Sequence, residues 1–96
     1  MSLMKGKKGL IMGVANERSI AWGISQKLAE SGAELAFTYL GEALKKRVIP
    51  LAEKLNSNVT FSCDVENKEE VIKLFKDIKS KWGEIDFVVH AVAFSD

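Results

Sequence analysis

Short apolar runs alternate along the chain with longer stretches in which apolar residues recur every three or four positions. The runs are typical of strands that are covered on both faces, and the longer period is typical of amphipathic helices. The runs predict four strands, at residues 9–12, 35–39, 59–63 and 85–91. The periodic stretches predict three helices, at residues 19–31, 44–55 and 67–82. Strands and helices therefore alternate in a regular order.

Local signals mark the ends of the first and third helices. Gly32 follows the first helix, where a residue in the left-handed conformation is common. Asn67 and Glu70 form a variant of the capping box before the third helix, and Gly83 is expected to end that helix. An apolar stripe normally faces the core, and in the first helix it comprises Ile20, Ile24 and Leu28, with Ala21 and Ala29 beside it.

Pro50 lies in the middle of the second predicted helix. A proline inside a helix removes one backbone hydrogen bond, and its ring collides with the preceding turn. The apolar residues nevertheless keep helical spacing on both sides of it, at Leu44, Val48, Leu51 and Leu55. The sequence therefore predicts a second helix that is interrupted near Pro50.

The alternation predicts an α/β fold with right-handed crossovers and a parallel sheet. In a doubly wound, Rossmann-like sheet the four strands would stand in the order 3-2-1-4, with ligand held at their carboxyl ends. A chain of 96 residues is one domain at most. Residues 1–3 could be vector-derived, ahead of a second start at Met4.

Residues 13–23 join the first strand to the first helix and have the composition of a phosphate-binding turn. Gly13 can turn sharply and let the backbone approach a ligand, and Ser19 can cap the helix or donate to phosphate. Gly23 is expected to permit close contact between helix and strand. The helix N-terminus adds unpaired N–H groups and the positive end of its dipole, so this turn favours the diphosphate of a dinucleotide.

Composition and charge narrow the function classes. A hydrophobic fraction of 47% with 28% charged residues indicates a globular protein. The net charge of +1 gives no reason to expect nucleic acid as a partner, and no apolar run is long enough for a signal or a membrane span. The single cysteine, Cys63, cannot form an internal disulfide, which suits a reducing compartment. We expect a cytoplasmic chain without a metal, membrane or nucleic-acid partner.

Five segments together are distinctive of one enzyme family. They are GVANERSIAWG at 13–23, GAELAFTY at 32–39, KRV at 46–48, CDV at 63–65 and HAVAF at 90–94. With these segments in order, the chain resembles the N-terminal part of the bacterial enoyl-acyl-carrier-protein reductases, in the divergent short-chain dehydrogenase/reductase superfamily. The long spacer before Ser19 separates this group from ordinary short-chain dehydrogenases, whose corresponding loop is shorter and glycine-rich.

The resemblance implies a site built from eight residues of this chain. Gly13, Ser19 and Ile20 would hold the diphosphate, and Leu40 would border the adenosine ribose. Asp64 and Val65 would frame the adenine. Val92 would lie near the nicotinamide ribose, and Ser95 would touch the substrate. The catalytic tyrosine and lysine of the family come from a helix beyond the fourth strand. The resemblance therefore implies no catalytic residue within residues 1–96. It implies that residues 1–96 are the N-terminal, dinucleotide-binding half of a single Rossmann-fold domain, with the rest of the fold missing.

Several of these residues have alternative interpretations. Asp64 could simply cap the turn after its strand, and Ile20 and Val65 could be core residues. Tyr39 and Lys46 have the spacing of the family's catalytic pair. They lie just past the second strand, on the adenosine side, so we interpret that spacing as a coincidence.

The resemblance implies NADH/NAD as the cofactor. Position 40 is often glutamine in the family and is Leu40 here, and neither residue carries the positive charge that suits the 2′-phosphate of NADPH. Glu42 is nearby, and the cations at 45–47 are interpreted as a solvated helix face. The sequence thus favours NADH over NADPH. Ala91, often serine in the family, removes one hydroxyl near the cofactor.

The implied function is NADH-dependent reduction of trans-2-enoyl thioesters on acyl carrier protein, in fatty-acid biosynthesis. This chain would supply the cofactor-binding half and would be inactive by itself. A homo-oligomer, commonly a tetramer, is implied by the resemblance alone. Two alternatives stay open: another short-chain dehydrogenase that acts on a 3-oxoacyl or hydroxy substrate, and a non-catalytic dinucleotide-binding module.

Overall fold

The computed structural model describes residues 5–12, 20–64 and 66–90, and within them four strands alternate with three helices as predicted. Their bounds are β1 (Lys8–Met12), α1 (Ile20–Glu30), β2 (Glu34–Tyr39), α2 (Gly41–Lys54), β3 (Thr60–Ser62), α3 (Lys68–Trp82) and β4 (Phe87–His90). The strand β3 is one residue shorter at each end than the apolar run that predicted it. The strands β1 and β2 each begin one residue earlier than predicted, and β4 begins two residues later. The helix α2 begins three residues earlier than predicted.

All strand pairs are parallel, and the sheet has the order β3-β2-β1-β4. The central strand is β1, where Leu10 lies opposite Ala36 of β2 and Val88 of β4. Each parallel connection crosses over through a helix. The predicted Rossmann-like, doubly wound order is confirmed.

Alternate residues of the strands face two helical layers. The layer with α1 and α2 buries Ile11, Ala21, Trp22, Leu35, Phe37, Val48, Leu51 and Ala52. The layer with α3 buries Leu10, Met12, Ala36, Cys63, Leu74 and Ile78. Because both faces of the sheet are covered, its central strands are apolar at consecutive positions rather than at alternate ones.

Helix α1 faces the sheet with small residues instead of its isoleucines. Ala21 and Ser25 are fully buried, whereas Ile20 is 76% exposed and Ile24 is 37% exposed. The Ser25 hydroxyl donates to the Ala21 carbonyl oxygen at 2.7 Å, which gives the buried hydroxyl a partner. Small side chains one turn apart let the helix come close to the sheet. The prediction that the isoleucines form the buried stripe is wrong.

Gly23 does not provide the close contact between helix and sheet that the sequence suggested. It is exposed, and a Cβ built on it would meet nothing within 4 Å. The neighbouring Trp22 is 5% exposed and packs in the core, as a packing residue should. The prediction for Gly23 is therefore wrong.

The end of α1 is a Schellman motif. The N–H of Ala33 donates to the Leu28 carbonyl at 3.1 Å, and the N–H of Gly32 donates to the Ala29 carbonyl at 3.0 Å. Gly32 has a φ of +97°, which glycine adopts without steric cost. The predicted end of the first helix is confirmed.

Helix α2 ends in the same pattern, with an asparagine in the left-handed position. Asn56 has a φ of +61°, and its N–H donates to the Glu53 carbonyl at 3.0 Å. The N–H of Ser57 donates to the Ala52 carbonyl at 2.9 Å. The buried Ser57 hydroxyl donates in turn to the Leu35 carbonyl at 2.5 Å, which ties the end of α2 to β2.

Pro50 does not interrupt α2, which is one helix from Gly41 to Lys54. The predicted interruption is wrong. Proline has no N–H, so the carbonyl of Lys46 lacks its usual helical donor at position 50. Because Pro50 is exposed, this carbonyl lies on the side of the helix that water can reach. Val48 and Leu51 are buried in the layer against the sheet, and their packing holds the helix together across the proline.

Helix α3 begins and ends at the predicted residues. Asn67 Oδ1 accepts from the N–H groups of Glu69 and Glu70 at 3.0 and 3.2 Å. Gly83, with a φ of +93°, follows the last helical residue. Asn67 is confirmed as the N-cap and Gly83 as the residue that ends the helix. The predicted capping box is wrong in its second half, because Glu70 accepts from the Asp64 N–H and the Asn67 N–H donates to the Asp64 carbonyl.

Lys8 ties β1 to the end of α3 and to the turn before β4. Its Nζ donates to the Trp82 carbonyl at 2.8 Å and lies 5.6 Å from the centre of the Trp82 ring. Its backbone N–H donates to the Asp86 carboxylate at 2.8 Å, and its carbonyl accepts from the Asp86 N–H at 2.7 Å. A cation beside the last carbonyls of a helix is favourable, so this contact also caps α3.

Gly9 leaves room for the ring of Phe87. The two residues lie opposite each other in the β1–β4 pair, and a Cβ on Gly9 would lie 2.0 Å from Cε2 of that ring. Phe87 packs against the layer formed with α1 and α2. The ring therefore occupies the space that a side chain at position 9 would need.

Candidate functional site

The carboxyl ends of the four strands lie along one edge of the sheet, here called the carboxyl edge. In the strand register, Met12 lies opposite His90, and Tyr39 lies opposite Ser62. Because the chain leaves each parallel strand at this edge, the described residues that follow β2 and β3 lie there. Leu40 directly follows β2, and Asp64 follows β3 after one intervening residue.

Three of the eight predicted site residues are described by the structure: Ile20, Leu40 and Asp64. The other five lie outside the described residues, namely Gly13, Ser19, Val65, Val92 and Ser95.

Ile20 is the first residue of α1 and is 76% exposed. The interpretation of Ile20 as a core residue is therefore wrong. Its backbone belongs to the first turn of a helix, where N–H groups lack partners within the helix. Ile20 thus combines an accessible apolar side chain with a backbone suited to an anion.

Leu40 is the N-cap residue of α2 and is 53% exposed. Its side chain has no acceptor, and no side-chain hydrogen bond caps this helix. Gly41 has a φ of +84°, which lets the chain turn from β2 directly into α2. The first turn of α2 therefore presents N–H groups at the carboxyl edge without a side-chain oxygen from the cap.

Asp64 is held in the turn between β3 and α3 by three hydrogen bonds. Its Oδ1 accepts from the N–H of Glu66 at 3.0 Å, and its carbonyl accepts from the N–H of Asn67 at 3.0 Å. Its N–H donates to Glu70 Oε1 at 3.1 Å. The capping interpretation is confirmed for one carboxylate oxygen. A carboxylate has about four lone-pair positions, so this one can cap the turn and also accept from a ligand.

Cys63 lies under this turn and is 2% exposed. Burial raises the pKa of its thiol above the ordinary value of 9.0, and the nearby carboxylates of Glu70 and Asp64 raise it further. A thiol kept protonated is a poor nucleophile and a poor metal ligand. Cys63 is therefore a packing residue beneath the carboxyl edge.

A groove of about 500 Å³ lies elsewhere, at the other end of β4. Its lining comes from α3 and from the turn that leads into β4, and includes Phe75, Lys79, Ile85 and Val88. It is separate from Leu40 and Asp64. Within the described parts of the chain, no group of three His, Cys, Asp or Glu side chains could hold a metal ion.

A family model for enoyl-(acyl carrier protein) reductases matches residues 13–96, which include every strand and helix after β1. The chain belongs to this family. The match covers most of the sequence, including the whole carboxyl edge after β1.

Individual reductases of this family are closely similar to the chain. It is 62% identical over 94 residues to enoyl-(acyl-carrier-protein) reductase (NADH) 2 of Rhizobium meliloti (strain 1021), covering 98% of this chain and 35% of that protein. The crystal structure of the Anaplasma phagocytophilum reductase in complex with NAD has a TM-score of 0.91 and 57% identity, covering 98% of this chain and 36% of that one. The Bacillus cereus reductase with NADP+ and indole naphthyridinone has a TM-score of 0.92 and 46% identity, covering 100% and 38%. The chain spans about a third of the length of these reductases.

Tyr39 and Lys46 differ in exposure. Tyr39 is partly buried and packs against the layer formed with α1 and α2. Lys46 is exposed on α2. Tyr39 therefore has a packing role, in agreement with the view that its spacing from Lys46 is a coincidence.

The roles of two residues at the carboxyl edge, Glu70 and Gly41, were not predicted from the sequence. Glu70 was expected to complete a capping box, yet its carboxylate accepts from Asp64 instead of from the N-cap residue. Gly41 was not singled out, although its position between a strand and a helix was a usable signal.

No described helix is long and apolar enough to cross a membrane.

Proposed function

We propose that this chain supplies the NADH-binding part of an enoyl-acyl-carrier-protein reductase of fatty-acid biosynthesis. The observation that carries the proposal is the family match over residues 13–96. The parallel order β3-β2-β1-β4 supports it, because a dinucleotide binds across the carboxyl ends of such a sheet.

The described residues fit a dinucleotide. The uncapped first turn of α2, at Leu40 and Gly41, offers N–H donors to the hydroxyl groups of a ribose. The Asp64 carboxylate can accept from the amino group of adenine while Oδ1 holds the turn. The exposed Ile20 and Leu40 side chains provide apolar surface for a nucleoside. Apolar walls with a few placed polar groups are typical of cofactor sites.

The remaining residues complete the proposed site. Beside Ile20, Gly13 and Ser19 would hold the diphosphate, and Val65 would frame the adenine with Asp64. Val92 would lie near the nicotinamide ribose, and Ser95 would touch the substrate. When bound, NADH supplies the hydride that is delivered to the β-carbon of a trans-2-enoyl thioester.

Catalysis needs residues outside this segment. Tyr39 is the only tyrosine among the 96 residues, and it is partly buried against the layer formed with α1 and α2. The tyrosine and lysine that support the thioester carbonyl therefore belong to the part of the family chain beyond residue 96. We expect residues 1–96 alone to bind NADH without turning over substrate.

We propose that NADH binds more tightly than NADPH. Leu40 brings no cation to the end of β2, and Glu42 brings a negative charge to the first turn of α2. A 2′-phosphate would be repelled by that charge. The cations Lys46 and Arg47 lie on the exposed face of α2. Within the family the cofactor varies, since one related structure holds NAD and another holds NADP+.

Family membership also supports proposals for the substrate, the assembly and the compartment. The substrate is proposed to be an enoyl thioester on acyl carrier protein, the assembly a homo-oligomer such as a tetramer, and the compartment the cytoplasm. We expect carrier-protein recognition and assembly to depend mainly on the part of the reductases that this chain does not span, since it covers 35% of the Rhizobium meliloti protein.

The test combines intact mass, NADH binding and turnover. A polypeptide of 10.6 kDa should bind NADH in a fluorescence titration and should not oxidise NADH when crotonyl thioester is added. A polypeptide about three times as long should oxidise NADH with crotonyl thioester and leave 3-oxoacyl substrates untouched.

Two variants test the adenine contact. Asp64→Ala should weaken NADH binding about tenfold, because a charge-assisted hydrogen bond is lost. Asp77→Ala removes an exposed carboxylate in the middle of α3 and should leave the binding unchanged. Absence of NADH binding, or rapid turnover by the 10.6-kDa polypeptide, would contradict the proposal.

A further inference from the structure

The turn that carries Asp64 is held from the first turn of α3. Glu70 Oε1 accepts from the Asp64 N–H at 3.1 Å, and the Asp64 carbonyl accepts from the Asn67 N–H at 3.0 Å. Asp64 Oδ1 accepts from the Glu66 N–H at 3.0 Å. The backbone and the carboxylate of Asp64 are therefore oriented by one connected set of bonds.

Glu70 has an unusual part in this set. In a capping box, the acidic residue three positions after the N-cap accepts from the N–H of the N-cap residue. Here the Asn67 N–H donates to the Asp64 carbonyl, so the Glu70 carboxylate extends further back and accepts from Asp64. The Asn67 side chain accepts from the Glu70 N–H at 3.2 Å, which anchors the backbone from which that carboxylate projects.

We propose that Glu70 is a positioning residue for adenine recognition. By fixing the Asp64 N–H, it sets the direction in which the Asp64 carboxylate leaves the turn, and hence its alignment with the amino group of adenine. This inference rests on the proposed function, in which Asp64 faces the adenine. Its consequence is a preference for adenine over a purine that has an oxygen in place of the amino group.

Glu69 provides a matched control. It carries the same charge in the same first turn of α3, and its backbone N–H also donates to Asn67. Replacing Glu69 changes the charge near the helix N-terminus as much as replacing Glu70 does, and it leaves the hydrogen bond to Asp64 intact. A difference between the two variants therefore reports the bond and not the charge.

The experiment measures two dissociation constants for each variant, one for NADH and one for reduced nicotinamide hypoxanthine dinucleotide, by fluorescence titration. Wild type should prefer NADH. Glu70→Ala should lose about three- to tenfold in NADH affinity, with the hypoxanthine dinucleotide nearly unaffected, because a hydrogen bond to a charged group has that order of effect. Glu70→Gln keeps an acceptor oxygen at the same reach and should restore the preference. Glu69→Ala should behave as wild type.

Glu70→Asp keeps the charge and shortens the side chain by one methylene. Glu70→Asp should lose the preference for NADH over the hypoxanthine dinucleotide, as Glu70→Ala does. It replaces Glu70→Ala in the comparison if circular dichroism shows that the alanine variant is poorly folded. Equal losses for both dinucleotides, or equal effects of Glu69→Ala and Glu70→Ala, would overturn the inference. If wild type bound both dinucleotides with equal affinity, the inference about Glu70 would be overturned, while the proposal that the chain binds NADH would stand. Wild type that binds neither would instead contradict the proposed function.

Discussion

Gly9 and Gly23 should respond in opposite directions to the same substitution. A Cβ at position 9 would lie 2.0 Å from Cε2 of Phe87, whereas a Cβ at position 23 would meet nothing within 4 Å. Neither glycine has a positive φ, so alanine is compatible with both backbones. The two variants therefore separate the effect of space from the effect of backbone conformation.

The expected magnitudes follow from these contacts. Gly9→Ala must displace the Phe87 ring, and overpacking of this kind costs about 1–3 kcal/mol in the free energy of unfolding. Gly23→Ala should stabilise the protein by about 0.8–1 kcal/mol, the difference in helix propensity. In a domain of this size, each kcal/mol corresponds to a shift of roughly 4–8 °C in Tm.

A double-mutant cycle identifies Phe87 as the cause. With Phe87→Ala in place, Gly9→Ala should become stabilising by about 0.5–1 kcal/mol, because alanine loses less backbone entropy than glycine in a strand. Urea unfolding followed by far-ultraviolet circular dichroism measures all four proteins. If Gly9→Ala destabilised the Phe87→Ala background as much as it destabilises wild type, the proposed steric cause would be refuted.

Three further predictions concern the carboxyl edge and its support. Asn67→Ala should lower the free energy of unfolding by about 0.5–2 kcal/mol, because the first turn of α3 loses its cap. Asn67→Asp should retain most of the stabilisation from the cap, and urea midpoints measure both variants. Leu40→Arg should raise the affinity for NADPH relative to NADH about tenfold, as measured by competitive titration, and an unchanged ratio would contradict the position given to Leu40. The folded-state pKa of Cys63 is raised, so its contribution to stability is full below pH 9.0 and is lost as pH rises through the folded-state value. The urea midpoint should therefore fall at high pH, and it should fall less in Cys63→Ala.

The strand order was predictable from the sequence because periodicity and connection length constrain it. Helices placed between apolar runs force parallel crossovers, and the handedness of those crossovers leaves few arrangements. The helix ends at Gly32 and Gly83 were predictable for a similarly local reason. Gly83 directly follows the last apolar residue of its helix, and Gly32 comes three residues after Ala29; each adopts a positive φ in the structure.

The buried face of α1 was not predictable from apolar spacing. Spacing identifies Ile20 and Ile24, but burial depends on how closely the helix approaches the sheet, and that distance is set by Ala21 and Ser25. The continuity of α2 through Pro50 was missed for a related reason. The cost of a proline depends on whether its side of the helix is solvated, which only the tertiary structure reveals.

The candidate site was only partly accessible to sequence reasoning. The location of Leu40 and Asp64 followed from the rule that parallel strands release the chain at one edge. The bond from Asp64 to Glu70 did not follow, because it depends on Asn67 donating to the Asp64 carbonyl. The capping-box pattern indicated that Asn67 and Glu70 stabilise the start of α3. The geometry of the turn decides that the Glu70 carboxylate accepts from the Asp64 N–H.

The central position of β1 in the sheet affects how this fold forms during synthesis on the ribosome. Its partner β2 follows directly after α1, but β4 begins only at Phe87, after residues 40–86 have been made. At synthesis rates of about 5–20 residues per second, those residues take roughly 2–9 s. During that interval, the backbone of β1 lacks its second neighbour, and Lys8 lacks both Trp82 and Asp86. The nascent chain must therefore keep the backbone of β1 protected until β4 has been made.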